Sequence, residues 1–489
     1  MIVHRRALVL VASILLLLAP TALSAQGVRG EIRVRGDIVG FQRLQRDSVP
    51  ESQVSGSGAR RQLADGTAVS CTTGDYCRWY GSGDTESVYP LYQDLRATAW
   101  TGVEGLSIHT QLRGRLGSDD AWPRTEQEVE AITAYIGYRK NDLWLRAGRM
   151  LRSGSLGYRN FDGGSVAWNG LGPLRLEAYG GWSLGIGLNA PRNGQLLTEA
   201  DEWAPNKRAY IYGFDGALDF GTNFYANVQY QREIRTDETG LYSERLGGSL
   251  RAIVGDAILD GGITYDLAFK EINLARLQMT SPLGGGFGLV LEAKHYRPFF
   301  EYWTIWSAFS PVAYSEGRGM LTWSSPELGL SFEAGGGYRD YDETDAESEF
   351  VEIKEDGIRL YGGGHWVNGP WFVDGGYRSE TGFGASRYGG DLTVGRRLGS
   401  DARIALFGSS TKSFGEFRVG EQLGTGGGID ASWNLGDLTV SGSAALYRIT
   451  FENRSRNEDW TQPRVHLSIA WRFGSSPKPR PSMRGIGGY

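Results

Sequence analysis

Between residues 438 and 447 the side chains alternate without interruption. Leu438, Val440, Gly442, Ala444 and Leu446 interleave with Thr439, Ser441, Ser443, Ala445 and Tyr447. Successive side chains of a strand point to opposite faces, so this stretch folds as a strand with one apolar face and one small, polar face. The pattern recurs. In 463–473, Val465, Leu467, Ile469, Trp471 and Phe473 oppose Arg464, His466, Ser468 and Arg472. In 210–220, Tyr210, Tyr212, Phe214, Leu218 and Phe220 oppose Asp215 and Asp219. In 224–235, Asn227, Gln229, Gln231 and Glu233 share one face, and in 328–339, Leu330, Phe332 and Ala334 oppose Ser331, Glu333 and Arg339. A soluble sandwich also alternates, but here the apolar face ends in Trp and Phe, as the aromatic girdle of a membrane barrel does.

The connections give an independent test. Tight turns of Gly, Pro, Asn or Asp chemistry fall at 140–142, 221–223, 255–257, 283–286, 325–327, 368–370, 399–401 and 436–437. Longer polar connections fall between them, at 45–88, 118–128, 185–206, 302–316, 341–354 and 450–462. Short and long connections alternate as periplasmic turns and extracellular loops do. The fold class is therefore all-β: a transmembrane antiparallel up-and-down β-barrel of about 22 strands, with 18 to 22 as the range. The strand signal is weakest at 152–169, 268–274 and 411–424. An even count places both termini on the periplasmic side.

The opening 25 residues read as a secretory leader. They hold a basic start (His4, Arg5, Arg6), an apolar run from Ala7 to Leu18, and small residues through Ala25. Downstream, no apolar run approaches the roughly 18 residues that a membrane helix needs, so entry into a membrane would be by strands. The organisation expected is leader 1–25, barrel 26–473 and a disordered, basic, Pro-rich periplasmic tail at 474–489. That tail is either a floppy end or a contact segment. The formal net charge of −5 argues against nucleic-acid binding. Cys71 and Cys77, the only cysteines, are expected to close a small disulfide loop after export; two thiols alone do not make a structural zinc site.

The segment DLWLRAGRMLRSGSLGYRNFDGGSVAWNGLGPLRLEAYGGW, from Asp142, resembles the alginate-export and general porin type of barrel. The matching motifs are Gly148-Arg149, ending a strand, and Phe161-Asp162-Gly163, beginning the next. The resemblance implies a short connection between them that can fold inward, and it covers about 40 residues. It supports the class of barrel rather than the alginate substrate. The chain departs from the usual pattern in that Phe473 is not its last residue.

Around that segment Arg146, Arg149, Arg152 and Arg159 cluster with Asp162 and Glu177. Facing basic and acidic groups across a pore would orient and select solutes; the alternative is an internal salt-bridge lattice. If Leu143, Leu145 and Ala147 face lipid, then Trp144, Arg146, Gly148 and Arg152 face inward, and Arg149 must be accommodated at the rim or by a bulge. Glu292, Lys294, Arg359 and His365 also fall on predicted lumen faces, as do Arg245, Arg251, Asp374 and Arg378. The aromatic run from His295 through 316 is either girdle and packed loop or a surface for sugar rings. The loop at 340–356 carries nine acids against one lysine but lacks calcium-loop spacing. No phosphate loop, nucleophile elbow, HExxH or dinucleotide fingerprint occurs, and an enzyme would need Ser, His and a carboxylate to converge from different strands.

These features point to an outer-membrane channel for passive diffusion of small hydrophilic solutes, with no catalytic step, cofactor or metal. Its partners would be outer-membrane lipids and those solutes, with homo-oligomerisation left open. Two rivals remain: a dedicated oligosaccharide or organic-anion export or uptake barrel, and a non-conducting envelope scaffold.

Overall fold

A computed structural model describes residues 25–57, 61–67, 69–71, 75–117, 129–184, 209–235, 241–297, 313–342, 356–382, 386–416, 420–452 and 458–475. The expected leader (but for Ala25), most of the tail from Ser476, and the acidic stretch 343–355 lie outside the described residues, as does 298–312 of the aromatic run. The strands are β1 (Ala25–Pro50), β2 (Val69–Cys71), β3 (Tyr76–Val88), β4 (Pro90–Thr101), β5 (Leu106–Gly117), β6 (Val129–Lys140), β7 (Leu143–Gly154) and β8 (Gly157–Leu171). They continue with β9 (Leu174–Ser183), β10 (Ala209–Asp219), β11 (Phe224–Arg235), β12 (Leu241–Val254), β13 (Ala257–Asp266), β14 (Glu271–Gly284), β15 (Phe287–Tyr296) and β16 (Tyr314–Ser325). The last eight are β17 (Leu330–Tyr341), β18 (Asp356–Asn368), β19 (Trp371–Glu380), β20 (Ser386–Leu398), β21 (Ala402–Glu416), β22 (Gly420–Leu435), β23 (Leu438–Glu452) and β24 (Trp460–Gly474).

From β4 onward every strand pairs antiparallel with the next, and β1 pairs with both β4 and β24, so the sheet closes on itself. β3 runs into β4 with only Tyr89 between them, and together they form a single long stave beside β1. The result is a closed antiparallel barrel of 22 strands, and closure removes the unpaired edges that an open sheet would carry. Every second connection is a tight turn, among them 141–142, 172–173, 255–256, 369–370 and 436–437. Both ends of the barrel strands, Ala25 and Gly474, lie at this turn end.

Alternation decides which face looks out. Leu246, Leu250, Ile263, Leu277, Leu360, Leu406 and Leu446 are exposed on the outer face, while Glu292, Glu316, Arg339 and Gln231 are buried on the inner one. Trp323 sits opposite Phe332 and Phe287 in register near the turn end. Trp168, Trp371, Trp433 and Trp471 are exposed at similar heights, and Tyr212, Tyr338, Tyr377 and Tyr388 are exposed nearer the loops.

Two expectations need correction. Half of the span 45–88 is strand rather than loop. β1 continues past Val39 and pairs with β3 from Val88 to Tyr76, beyond the part of β1 that β24 covers. β2 adds a third short strand to this extension, and the Cys71–Cys77 disulfide joins it to β3. Leu63, Val69 and Trp79 pack against the disulfide in a small core of their own. Second, strands replace parts of the expected loops at 302–316 and 450–462, since β16 begins at Tyr314, β23 reaches Glu452 and β24 begins at Trp460. In the weak stretches, β7 and β8 meet at a two-residue turn, and β14 and β22 begin at Glu271 and Gly420.

Candidate functional site: an inward hairpin facing an arginine wall

The pairing of β7 and β8 with their neighbours stops partway along. β6 pairs with β7 only from Leu143 to Arg149, and β9 pairs with β8 only from Phe161 on. Beyond these limits, Leu151–Gly154 have ladder partners only in Gly157–Asn160, so the tip of the hairpin leaves the wall. It bends inward and lies along the inner faces of β9 to β13.

Its tip is held by named contacts. Arg245 of β12 is buried and donates from Nη2 to the Leu156 carbonyl at 2.8 Å. Thr264 of β13 donates to the Ser155 carbonyl at 3.2 Å, and the Ser155 hydroxyl donates to Gln229 of β11 at 3.0 Å. Gly247 provides the seat: a Cβ there would come within 2.8 Å of Leu156 Cδ2. Below the tip, Met150 and Phe161 bury themselves against Ile211, with Tyr135 and Tyr179 around them. Excluding water from these apolar side chains stabilises the bent position.

The arginines of the hairpin face this supporting wall. Arg146 and Arg152 both pair with Glu177, and Arg152 also reaches Asp215 at 3.3 Å while its guanidinium lies 4.3 Å from the centroid of Tyr179. Asp215 in turn accepts from Asn227 at 2.6 Å and Gln229 at 2.7 Å. Arg159 is buried, with Nε 3.6 Å from Glu233. Arg149 and Asp162 occupy outward register positions. Arg149 forks onto Asp162 at 2.8 and 3.0 Å, and its Nη1 donates to the Ala131 carbonyl at 3.2 Å, on the part of β6 that β7 no longer covers.

The structure therefore brings Arg146, Arg152, Arg159 and Glu177 together as a lattice that anchors the hairpin. Arg152 and Arg159 face the supporting wall rather than open lumen, because the bend turns the inward side of the hairpin onto the barrel. The opposite side of the hairpin carries Leu151 and Tyr158, which are 42% and 64% exposed. Parity along an unbent strand would have assigned Leu151 to lipid.

Across the barrel, β14 to β20 present a second charged surface. Glu292 pairs with Arg276 and with Arg318 (2.9 Å). Glu316 pairs with Arg339 (3.0 Å) and Arg359 (3.3 Å), and Glu380 pairs with Arg359 and with Arg387 (3.6 Å). The layering is one-sided. The carboxylates of Glu292, Glu316 and Glu380 are 5%, 3% and 12% exposed, whereas Arg276, Arg318, Arg359 and Arg387 are 43%, 39%, 34% and 50% exposed. In these pairs the guanidinium groups stand in front of the carboxylates, while Arg339 is buried and the acids Glu333, Asp374 (47%) and Asp391 are exposed along the same wall. Lys294 donates to the Tyr314 hydroxyl at 3.1 Å and stands 4.7 Å from the Tyr296 ring centroid.

Arg318, Arg359, Tyr361 and His365 line an open cavity of about 740 Å³ on this wall. Ser331, His365 and Asp374 stand in register across β17, β18 and β19, with His365 Nδ1 on Asp374. Among the described residues no hydrogen bond joins Ser331 to the imidazole.

The residues that the sequence left out come from distant strands: the arginines Arg276, Arg318 and Arg387, the acids Glu316 and Glu380, and Gly247. Alternation places the acids on the inner face, but nothing local indicates which arginine each would meet.

No family model and no curated protein matches this chain. Among solved structures it is similar to OccK8 (OprE) of Pseudomonas aeruginosa at 10% identity, covering 93% of this chain and 100% of that one, TM-score 0.39. It is also similar to OccAB2 of Acinetobacter baumannii (8%, covering 91% and 98%, TM-score 0.41) and to the outer membrane protein opdK of Pseudomonas aeruginosa (9%, covering 92% and 100%, TM-score 0.38). At these identities the likeness concerns barrel form alone.

Proposed function

We propose that this chain is an outer-membrane channel through which small hydrophilic solutes diffuse passively, exported there by the leader at 1–25. One observation carries this reading: a closed barrel that is apolar outside and ionic inside, with an inward hairpin that narrows the lumen without crossing to the arginine wall. On the outer face, Phe332 to Tyr338 and Phe220 to Tyr212 are six and eight residues apart, about 20–26 Å along a strand. At the usual strand tilt of about 35–45° this is roughly 14–21 Å of height, which fits within the apolar band of about 25 Å of such barrels.

The exposed guanidinium groups of Arg276, Arg318, Arg359 and Arg387 support a preference for anions. Fixed positive charge lining a narrow pore raises the local concentration of anions and lowers that of cations. The same observation favours a second reading, a barrel dedicated to organic anions, which selective current block by one class of anion would separate from the general pore.

The test is conductance and reversal potential of the refolded protein in planar bilayers under a KCl gradient. The wild type is expected to conduct with anion preference, and a variant carrying Arg276→Glu, Arg318→Glu and Arg359→Glu to shift toward cations. A folded protein that passes no current would overturn the channel reading, and an unchanged reversal potential would remove the arginine wall from it.

A further inference from the structure

We propose that Leu151 and Tyr158 form an apolar subsite on the lumen side of the inward hairpin, contacted by solutes that carry a ring or hydrocarbon body. The inference rests on the channel reading and adds a site that the charge pattern of the sequence does not reveal.

The geometry leaves these two side chains no other role in the hairpin. Leu151 stands opposite Asn160, and Ser153 opposite Tyr158, on one side of the two-stranded tip; Met150, Arg152, Arg159 and Phe161 share the other. The second set is consumed by the supporting wall, through Glu177, Asp215, Glu233 and the apolar contact with Ile211. Of the first set, Asn160 is buried, with its backbone carbonyl accepting from the Leu184 N–H at 2.8 Å, whereas Leu151 and Tyr158 remain 42% and 64% exposed. An exposed tyrosine and leucine on a pinned hairpin inside a water-filled channel offer a rigid apolar contact that costs little ordering entropy on binding. A solute passing between this surface and the arginine wall meets hydrocarbon on one side and guanidinium on the other. Permeation is therefore ordered by the shape of the solute's apolar part as well as by its charge.

The experiment uses the full refolded barrel, whose two native cysteines are joined, and introduces one cysteine at a time. In Tyr158→Cys and Leu151→Cys, a cationic methanethiosulfonate reagent is expected to reduce the current by at least twofold; in Arg159→Cys and Met150→Cys it is expected to leave the current unchanged. Because the last two substitutions can disturb folding, only heat-modifiable, folded protein is compared. A second readout is block by nicotinamide, a neutral ring, against propionamide, a neutral amide without one. Nicotinamide is expected to interrupt the wild-type current, and Tyr158→Ala combined with Leu151→Ala to weaken that block at least fivefold. Modification at Arg159→Cys with none at Tyr158→Cys, or equal response to the two amides, would overturn the proposal. If the wild type passes no current, the channel reading fails. The same reagent followed by mass spectrometry on the detergent-folded protein then reports which face of the hairpin meets water.

Discussion

Glu177 balances two arginines at once, and that economy makes it sensitive. Replacing it with Gln keeps the shape but leaves Arg146, 13% exposed, without its counter-charge and Arg152, 17% exposed, with Asp215 alone. Losing a partner from a half-buried, charge-assisted contact costs about 1–3 kcal/mol. Glu177→Gln is expected to lower the urea midpoint of the folded band accordingly; an unchanged midpoint would mean that the lattice contributes little. Arg245 is a second sensitive position, since its guanidinium satisfies the Leu156 carbonyl at the tip. Arg245→Ala is expected to unseat the hairpin and raise single-channel conductance, and a current identical to wild type would rule out that role. Alternation alone assigns Arg146, Glu177 and Arg245 to the inner face. It places Arg152 inward too, but that Arg152 and Arg159 meet Glu177, Asp215 and Glu233 follows from the bend, and strand parity gives the side of a ribbon and not where the ribbon folds over. The seat at Gly247 is equally hidden, since its meaning depends on Leu156, ninety-one residues earlier in the chain.

At the level of elements, the tight turns were readable because their chemistry is local: a positive φ at Gly255, Gly369 or Gly436 is written in the residue itself. The β1–β3 extension was not readable, because its apolar face is carried by few residues, Val49, Cys77 and Trp79, among Gly, Ser, Asp and Glu, and so sparse an alternation looks like a loop. Its cohesion comes from the Trp79 cluster and the disulfide, whose small ring is worth about 2 kcal/mol by the loop-entropy estimate. Replacing Cys71 and Cys77 by Ser is expected to make the segment 50–76 sensitive to protease while leaving conductance and heat-modifiability intact. Loss of the folded barrel in that variant would show that the extension is required for closure.

For the whole molecule, outside and inside are different solvents. Leu406 faces outward near mid-strand and Ser443 faces inward. Arginine at the first position should cost about 2–4 kcal/mol in a bilayer and very little at the second. Folding into lipid vesicles, followed by gel shift, is expected to fail or slow for Leu406→Arg and to proceed for Ser443→Arg; equal yields would contradict the assignment of faces. Sequence periodicity makes this division legible over most of the chain, because one period of two is repeated strand after strand. The lumen itself escapes it, because its form is set by contacts between staves that are far apart in sequence.

β1 has two duties, closing the seam against β24 and continuing upward as the core of the stapled extension. A force applied to that projection runs down the axis of the strand and arrives at the seam as shear across eleven rungs, from Arg29–Gly474 to Val39–Arg464. Rungs loaded in this way share the strain and yield together, whereas a sideways pull would part them one at a time. The chain's most prominent handle is thus tied to its closure in the mechanically strong direction.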